Sequence, residues 1–276
     1  MSLGSAVRLD ACPPADLGRG AVRWTRGPNL YLERQTGGRV AREPRPVNAS
    51  GIAHLCIQAR DGYTARSALG AEAASFLSDP VPLGTGFHYA YGHDRGGRLF
   101  ELESAPFLPV SPLSWFGHVA FVSSDAERLA TFYASVLGVP VSPGGRYSGN
   151  PQIDRVAGLD GVDVEVWWVR TGDFTLEFWR YHAPAAQKIA SEEWYSHIGL
   201  EADDLGVALK RVQSSGGTIE EASTRGSDGQ EAWARDPDGN RIHLIEFDGP
   251  ALSVRALRER DALARAGAAR AAATAA

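Results

Sequence analysis

The chain is poor in several residue types, and each shortage removes a class of protein. Cys12 and Cys56 are the only cysteines among 276 residues, too few for a disulfide framework, so two reduced thiols are expected. No stretch approaches the roughly 18 consecutive apolar residues that a membrane-spanning helix needs. Lys188 and Lys210 are the only lysines, and the formal net charge is -5. A chain without a basic surplus lacks the electrostatic footprint of a nucleic-acid binder. The opening segment MSLGSAVRLDACPPADLGRG has no basic stretch followed by an apolar core, the pattern of an export signal, so a cytoplasmic location is expected. What the chain does have is length and 43% hydrophobic residues, enough to bury a substantial core as one large or two smaller domains.

It also has internal repeats. HLCIQARD from His54, HVAFVSSD from His118 and HIGLEADD from His197 each place an aspartate seven residues after a histidine that lies in a strand-like run. Each leads into a helix-like stretch. In DAERLATFYASVLG, Asp125 is placed to cap a helix whose Leu129, Phe132, Tyr133 and Val136 share one face. A second helix follows Asp204 and closes at Gly216 or Gly217. After each helix come hairpins with tight turns, DRGG, RTGD and DPDG. A βαβββ unit is therefore expected at about 51–104, 115–183 and 194–247. AVRWTRGPNLYLERQ reads as the closing hairpin of a fourth, truncated unit at the N-terminus. The Pro-rich APFLPVSPLS is the expected domain boundary. That divides the chain into a degenerate pair of units at 1–110, a complete pair at 111–250, and a helical tail at 251–276.

The histidine, the aspartate seven residues on, the helix, and DPDGN before a last strand together resemble the vicinal oxygen chelate superfamily. Its members include glyoxalases, epimerases, extradiol dioxygenases and bleomycin resistance proteins. The resemblance implies an α+β fold in which paired βαβββ modules form two open, cupped β-sheets, the first module being truncated. It implies one divalent transition metal, drawn from Fe, Zn, Ni, Co or Mn, held by the first and fourth strands of each unit. Transferred to this chain, the ligand positions are His118, Glu177, His197 and His243. Strand parity supports His243: Ile242 and Leu244 are apolar and expected to face the helices, which puts Glu246 on the helix side. A bulge would exchange the two and make Glu246 the ligand. The same reading places Glu33, His54 and Glu101 at comparable positions of the N-terminal pair, with Glu103 as an off-parity neighbour, in a structural or vestigial role.

The resemblance implies a glyoxalase- or epimerase-like lyase or isomerase acting on a small oxygenated metabolite, with Glu177 as proton shuttle. Two alternatives stand beside it. One is an Fe(II) extradiol dioxygenase, for which the usual acid/base groups are missing from GDFT and from SDGQEAWARDPDG. The other is a protein that binds an antibiotic or similar small molecule, suggested by Trp167, Trp179 and Trp233 around the cup. Tyr147 and Arg155 belong to a loop expected to lie over it. A small-molecule partner is expected, with no nucleic acid and no membrane, and the architecture admits a homodimer.

Overall fold

In the computed structural model the described residues are 22–27, 30–34, 43–71, 74–94, 96–107, 115–171, 175–188, 194–226 and 229–248. The expected tail at 251–276 and Cys12 lie outside them. The chain opens with a hairpin, β1 (Val22–Gly27) and β2 (Leu30–Arg34). The next unit comprises β3 (Gly51–Ala59), α1 (Gly62–Ala71), the short β4 (Ser75–Phe76) and β5 (Val81–Pro82), β6 (His88–His93) and β7 (Leu99–Ser104). It is followed by β8 (Trp115–Val122), α2 (Ala126–Leu137), β9 (Val141–Ser148), the short α3 (Pro151–Ala157), β10 (Asp163–Arg170) and β11 (Thr175–Ala183). The last unit contains β12 (His197–Glu201), α4 (Leu205–Ser214), β13 (Thr218–Arg225), β14 (Gly229–Arg235) and β15 (Arg241–Phe247).

The aspartate of each repeat starts its helix. Asp61 accepts the backbone N–H groups of Tyr63 and Thr64, Asp125 that of Arg128, and Asp204 that of Val207. Each bond satisfies an N–H that has no partner within its helix, a device worth about 1 kcal/mol. At its other end α2 stops at Gly138, whose φ of 72° is the left-handed conformation that glycine adopts without a Cβ clash. α2 buries Leu129, Phe132, Tyr133 and Val136. Along β11, Leu176 and Phe178 join the same core, so Glu177 and Trp179 point the opposite way.

The units combine differently from the division expected at residues 110 and 111. One nine-stranded sheet runs β4-β6-β7-β3-β8-β11-β10-β9, with β5 beside β6. It joins the units at 51–104 and 115–183 through their opening strands, β3 and β8, which are antiparallel with His54 opposite Ala120. The other sheet has six strands, β1-β2-β12-β15-β14-β13. There the N-terminal hairpin sits beside the last unit, and β2 takes the place next to β12 that β3 occupies next to β8. The Pro-rich segment thus connects two halves of one sheet. An opening strand has an unpaired edge, and pairing it with the opening strand of the neighbouring unit removes that edge.

The largest core spans both sheets, bringing Phe121, Tyr133 and Phe178 together with Ile198, Leu200, Val212 and Leu244. α2 covers the nine-stranded sheet, α4 covers the other, and the two helices touch. The DPDG turn ties them further. Asp236 accepts the Tyr133 hydroxyl at 3.0 Å, while Asp238 accepts Ser123 Oγ at 2.5 Å and also binds Arg128. With the helices on the inner faces, each cup opens outward. Among the described residues no helix is long and apolar enough to cross a membrane.

Candidate metal centre

The fourth-strand position is generated three times by the same register. Parallel pairing sets Glu101 opposite Cys56, Glu177 opposite Ala120 and His243 opposite Gly199, in each case two residues beyond the opening histidine. Residues two apart on a strand share a face, so each unit presents a histidine and its fourth-strand partner to one cup. Adjacency of β3 and β8 then merges two such pairs. His54, Glu101, His118 and Glu177 place one donor atom each within 4.8 Å of one another. His118 Nε2 lies 3.0 Å from Glu101 Oε2, 3.4 Å from Glu177 Oε2 and 3.3 Å from His54 Nε2; His54 Nε2 lies 3.6 Å from Glu101 Oε2.

His54, Glu101 and His118 are buried, and the Glu177 side chain is 14% exposed. Burial opposes a charge on His118, but Glu177, Glu101 and Glu103 outweigh it and bring its pKa up to about 10. Burial also pushes the Glu101 carboxyl up, yet hydrogen bonds from His118 and His54 reverse this and hold it below the usual carboxylate range. His54 is pulled down by burial, which Glu101 only partly opposes. Without a metal, one imidazolium therefore stands between two carboxylates in a site shielded from water. Two neutral imidazoles, two carboxylates and a divalent cation would instead sum to zero charge. The donor set thus fits such an ion on charge as well as on convergence.

The set differs from the one expected. His118 and Glu177 are brought together, but His197 and His243 belong to the six-stranded sheet and its separate cup. There His243 Nε2 meets Glu231 Oε2 at 3.0 Å, its ring stacks on Trp233 at 4.3 Å, and His197 stands edge-on to Trp233 at 4.9 Å. Glu246 lies on the other face, where its Oε2 accepts the Leu205 N–H at 2.8 Å and caps α4. The residues that converge with His118 and Glu177 are instead His54 and Glu101, for which a structural or vestigial role was expected. Their signal was already in the repeat spacing; the pairing of units was not. Glu33 lies on β2, and its side chain is outside the described residues.

Glu103 also corrects the parity expected of it. It is two residues from Glu101 and therefore shares its face, where it receives Gln58 Nε2 at 2.7 Å and has its pKa raised by burial. The neighbouring Cys56 is a free, buried thiol.

A cleft of about 910 Å³, measured to its open mouth, leads to the cluster. Glu177 stands at its floor between two donors: Trp168 Nε1 reaches Oε1 at 2.9 Å and Trp179 Nε1 reaches Oε2 at 3.1 Å. Of the aromatic residues expected here, Trp179 and Tyr147 line the cleft. Trp167 instead packs against the core around α2, because Trp168 is the residue directly opposite Glu177. Trp233 belongs to the other cup. Arg155, on α3, is exposed and is not part of the lining.

Comparison with known proteins agrees with this architecture. Residues 115–244 match the model of the Glyoxalase/Bleomycin resistance protein/Dioxygenase superfamily. The lactoylglutathione lyases of Salmonella typhimurium and Escherichia coli O157:H7 are each 28% identical over 131 residues, 47% of this chain and 90% of theirs. A mutant of glyoxalase I from Zea mays superposes with a TM-score of 0.58 at 20% identity, over 82% of this chain and 79% of that one. A putative dioxygenase from Bacillus subtilis gives 0.56 at 12% identity, over 87% and 77%. Both structures share the α+β fold with open sheets. Over residues 115–244 the chain is thus similar to the Glyoxalase/Bleomycin resistance protein/Dioxygenase superfamily.

Proposed function

We propose that the protein is a metal-dependent lyase or isomerase of glyoxalase or epimerase type, acting on a small oxygenated metabolite. His54, Glu101, His118 and Glu177 are the proposed ligands of one divalent transition ion, and the observation that carries this is their convergence within 4.8 Å. When bound, such an ion supplies Lewis-acid polarisation of a substrate carbonyl or hydroxyl oxygen. The protein's own part is positioning and proton transfer. Trp168 and Trp179 fix both oxygens of Glu177 at the cleft floor, so this carboxylate faces the substrate in a set orientation and is the proposed proton carrier. The burial of His54, Glu101 and His118 keeps water from the rear of the site.

The likeness to lactoylglutathione lyases supports lyase chemistry. Ring-cleaving dioxygenation is favoured less, since its Fe(II) site uses two histidines and one carboxylate, and two carboxylates converge here. All four ligands come from one chain, so a homodimer would not be needed to complete the site. A cytoplasmic setting suits the free thiol of Cys56.

Elemental analysis of the purified protein tests the reading. One transition ion per chain is expected, lost in His54→Ala and His118→Ala and kept in His197→Ala and His243→Ala. Full occupancy in the first two variants would overturn the ligand assignment.

A further inference from the structure

We propose that the cleft selects an uncharged aromatic molecule and rejects anionic conjugates of the glutathione type. The proposal rests on the metal centre proposed above, since it takes the substrate's oxygens to sit at that cluster.

Two features of the walls carry it. The first is the absence of positive charge: among the described lining residues there is no lysine, arginine or histidine, whereas Glu101, Glu103 and Glu177 all line the cleft. Glu101 and Glu177 would balance a divalent ion, and Glu103, which accepts Gln58 Nε2 at 2.7 Å, adds no positive charge to the wall. Of the arginines near the cleft, Arg170 lies over the Trp168 ring at 4.5 Å, Arg155 is exposed on α3, and none is in the lining itself. Arg45 donates to the carbonyls of Pro46, Ala49 and Ser50, and Arg146 is tied to Asp163 at 2.6 Å on the exposed surface. An anion entering the cleft would therefore lose hydration with no cationic side chain in the lining to replace it. Glutathione carries two carboxylates, and both would face this penalty.

The second feature is aromatic surface. Tyr89, Tyr91, Trp168, Trp179 and Tyr181 surround the approach to the cluster, and Tyr147, 41% exposed, stands at the mouth. Ile153 and Val156 of α3 close the opposite side. Burial pushes the phenol pKa values of Tyr89, Tyr91 and Tyr181 upward, so these walls stay neutral. The hydrogen bonds from Trp168 and Trp179 to Glu177 hold both indoles beside the cluster. A ring attached to a pair of adjacent oxygens would stack between them.

The test uses the full chain loaded with Ni²⁺ or Zn²⁺ and three hydroxamates that share one pair of chelating oxygens: acetohydroxamate, benzohydroxamate and para-carboxybenzohydroxamate. Titration calorimetry should show benzohydroxamate binding about tenfold or more tighter than acetohydroxamate, and the added carboxylate undoing about tenfold of that. Tyr147→Arg, a change at the exposed mouth, should restore binding of the carboxylated probe. Equal, metal-dependent binding of all three would overturn the cleft assignment while leaving the metal centre standing. Binding that ignores the metal yet still ranks benzohydroxamate first would support the cleft assignment and sink the metal centre. Failure of all three to bind would overturn both.

Discussion

At the scale of single residues, His118 is the group whose protonation connects burial to metal affinity. Its pKa rises from 6.5 to about 10 in the metal-free fold, so the folded chain keeps a proton that the unfolded chain has released. That contribution to stability is complete below about pH 6.5 and is lost as pH rises through about 10. A metal ligand must surrender the proton, so binding at pH 8 should release about one proton per ion. Calorimetry in buffers of different ionisation enthalpy measures this, and no proton release would contradict a role for His118 as ligand. Metal-free protein should also lose stability between pH 7 and 10, and metal-loaded protein should not. Trp168→Phe removes one of the two donors to Glu177 while keeping a ring in the wall. It should lower kcat on any substrate found more than it raises KM, because positioning of the proton carrier is lost and ring contact is retained.

At the scale of elements, the question is which side of a strand a charged residue serves. β15 carries His243 toward its cup and Glu246 toward α4, where Glu246 caps the helix together with Asp204. Glu246→Ala should therefore cost about 1 kcal/mol in denaturant unfolding with metal content unchanged. A loss of metal instead would make Glu246 a ligand. Parity was readable from RIHLIEF because Ile242 and Leu244 are apolar and residues two apart share a face. The same rule, applied without a structure, sent Trp167 to the cup in place of Trp168. WW offers one ring to each face, and only the register of β10 against β11 says which lies opposite Glu177.

At the scale of the whole molecule, the cluster joins two units that are separate in sequence, so metal binding should stabilise the nine-stranded sheet as one body. A metal ion at about 100 times its dissociation constant should add about 2.7 kcal/mol to the unfolding free energy. His54→Ala and His118→Ala should each abolish that increment, and the double variant should lose no more of it than either single one. Two partial and additive losses would mean that the histidines bind separate ions.

The histidine, the capping aspartate and the fourth-strand carboxylate recur at fixed spacings because strand parity and helix capping act over a few residues. For that reason the α+β units, the inward face of His118 and Glu177, and the equivalence of His54, His118 and His197 were all legible in the chain. Which repeats share a cup was not. That depends on which opening strand meets which, and β3 beside β8 and β2 beside β12 are pairings between distant segments, selected by edge closure and by the shared core around α2 and α4. Local patterns placed each candidate ligand on a face; only the long-range pairing of strands brought His54 and Glu101, and not His197 and His243, together with His118 and Glu177.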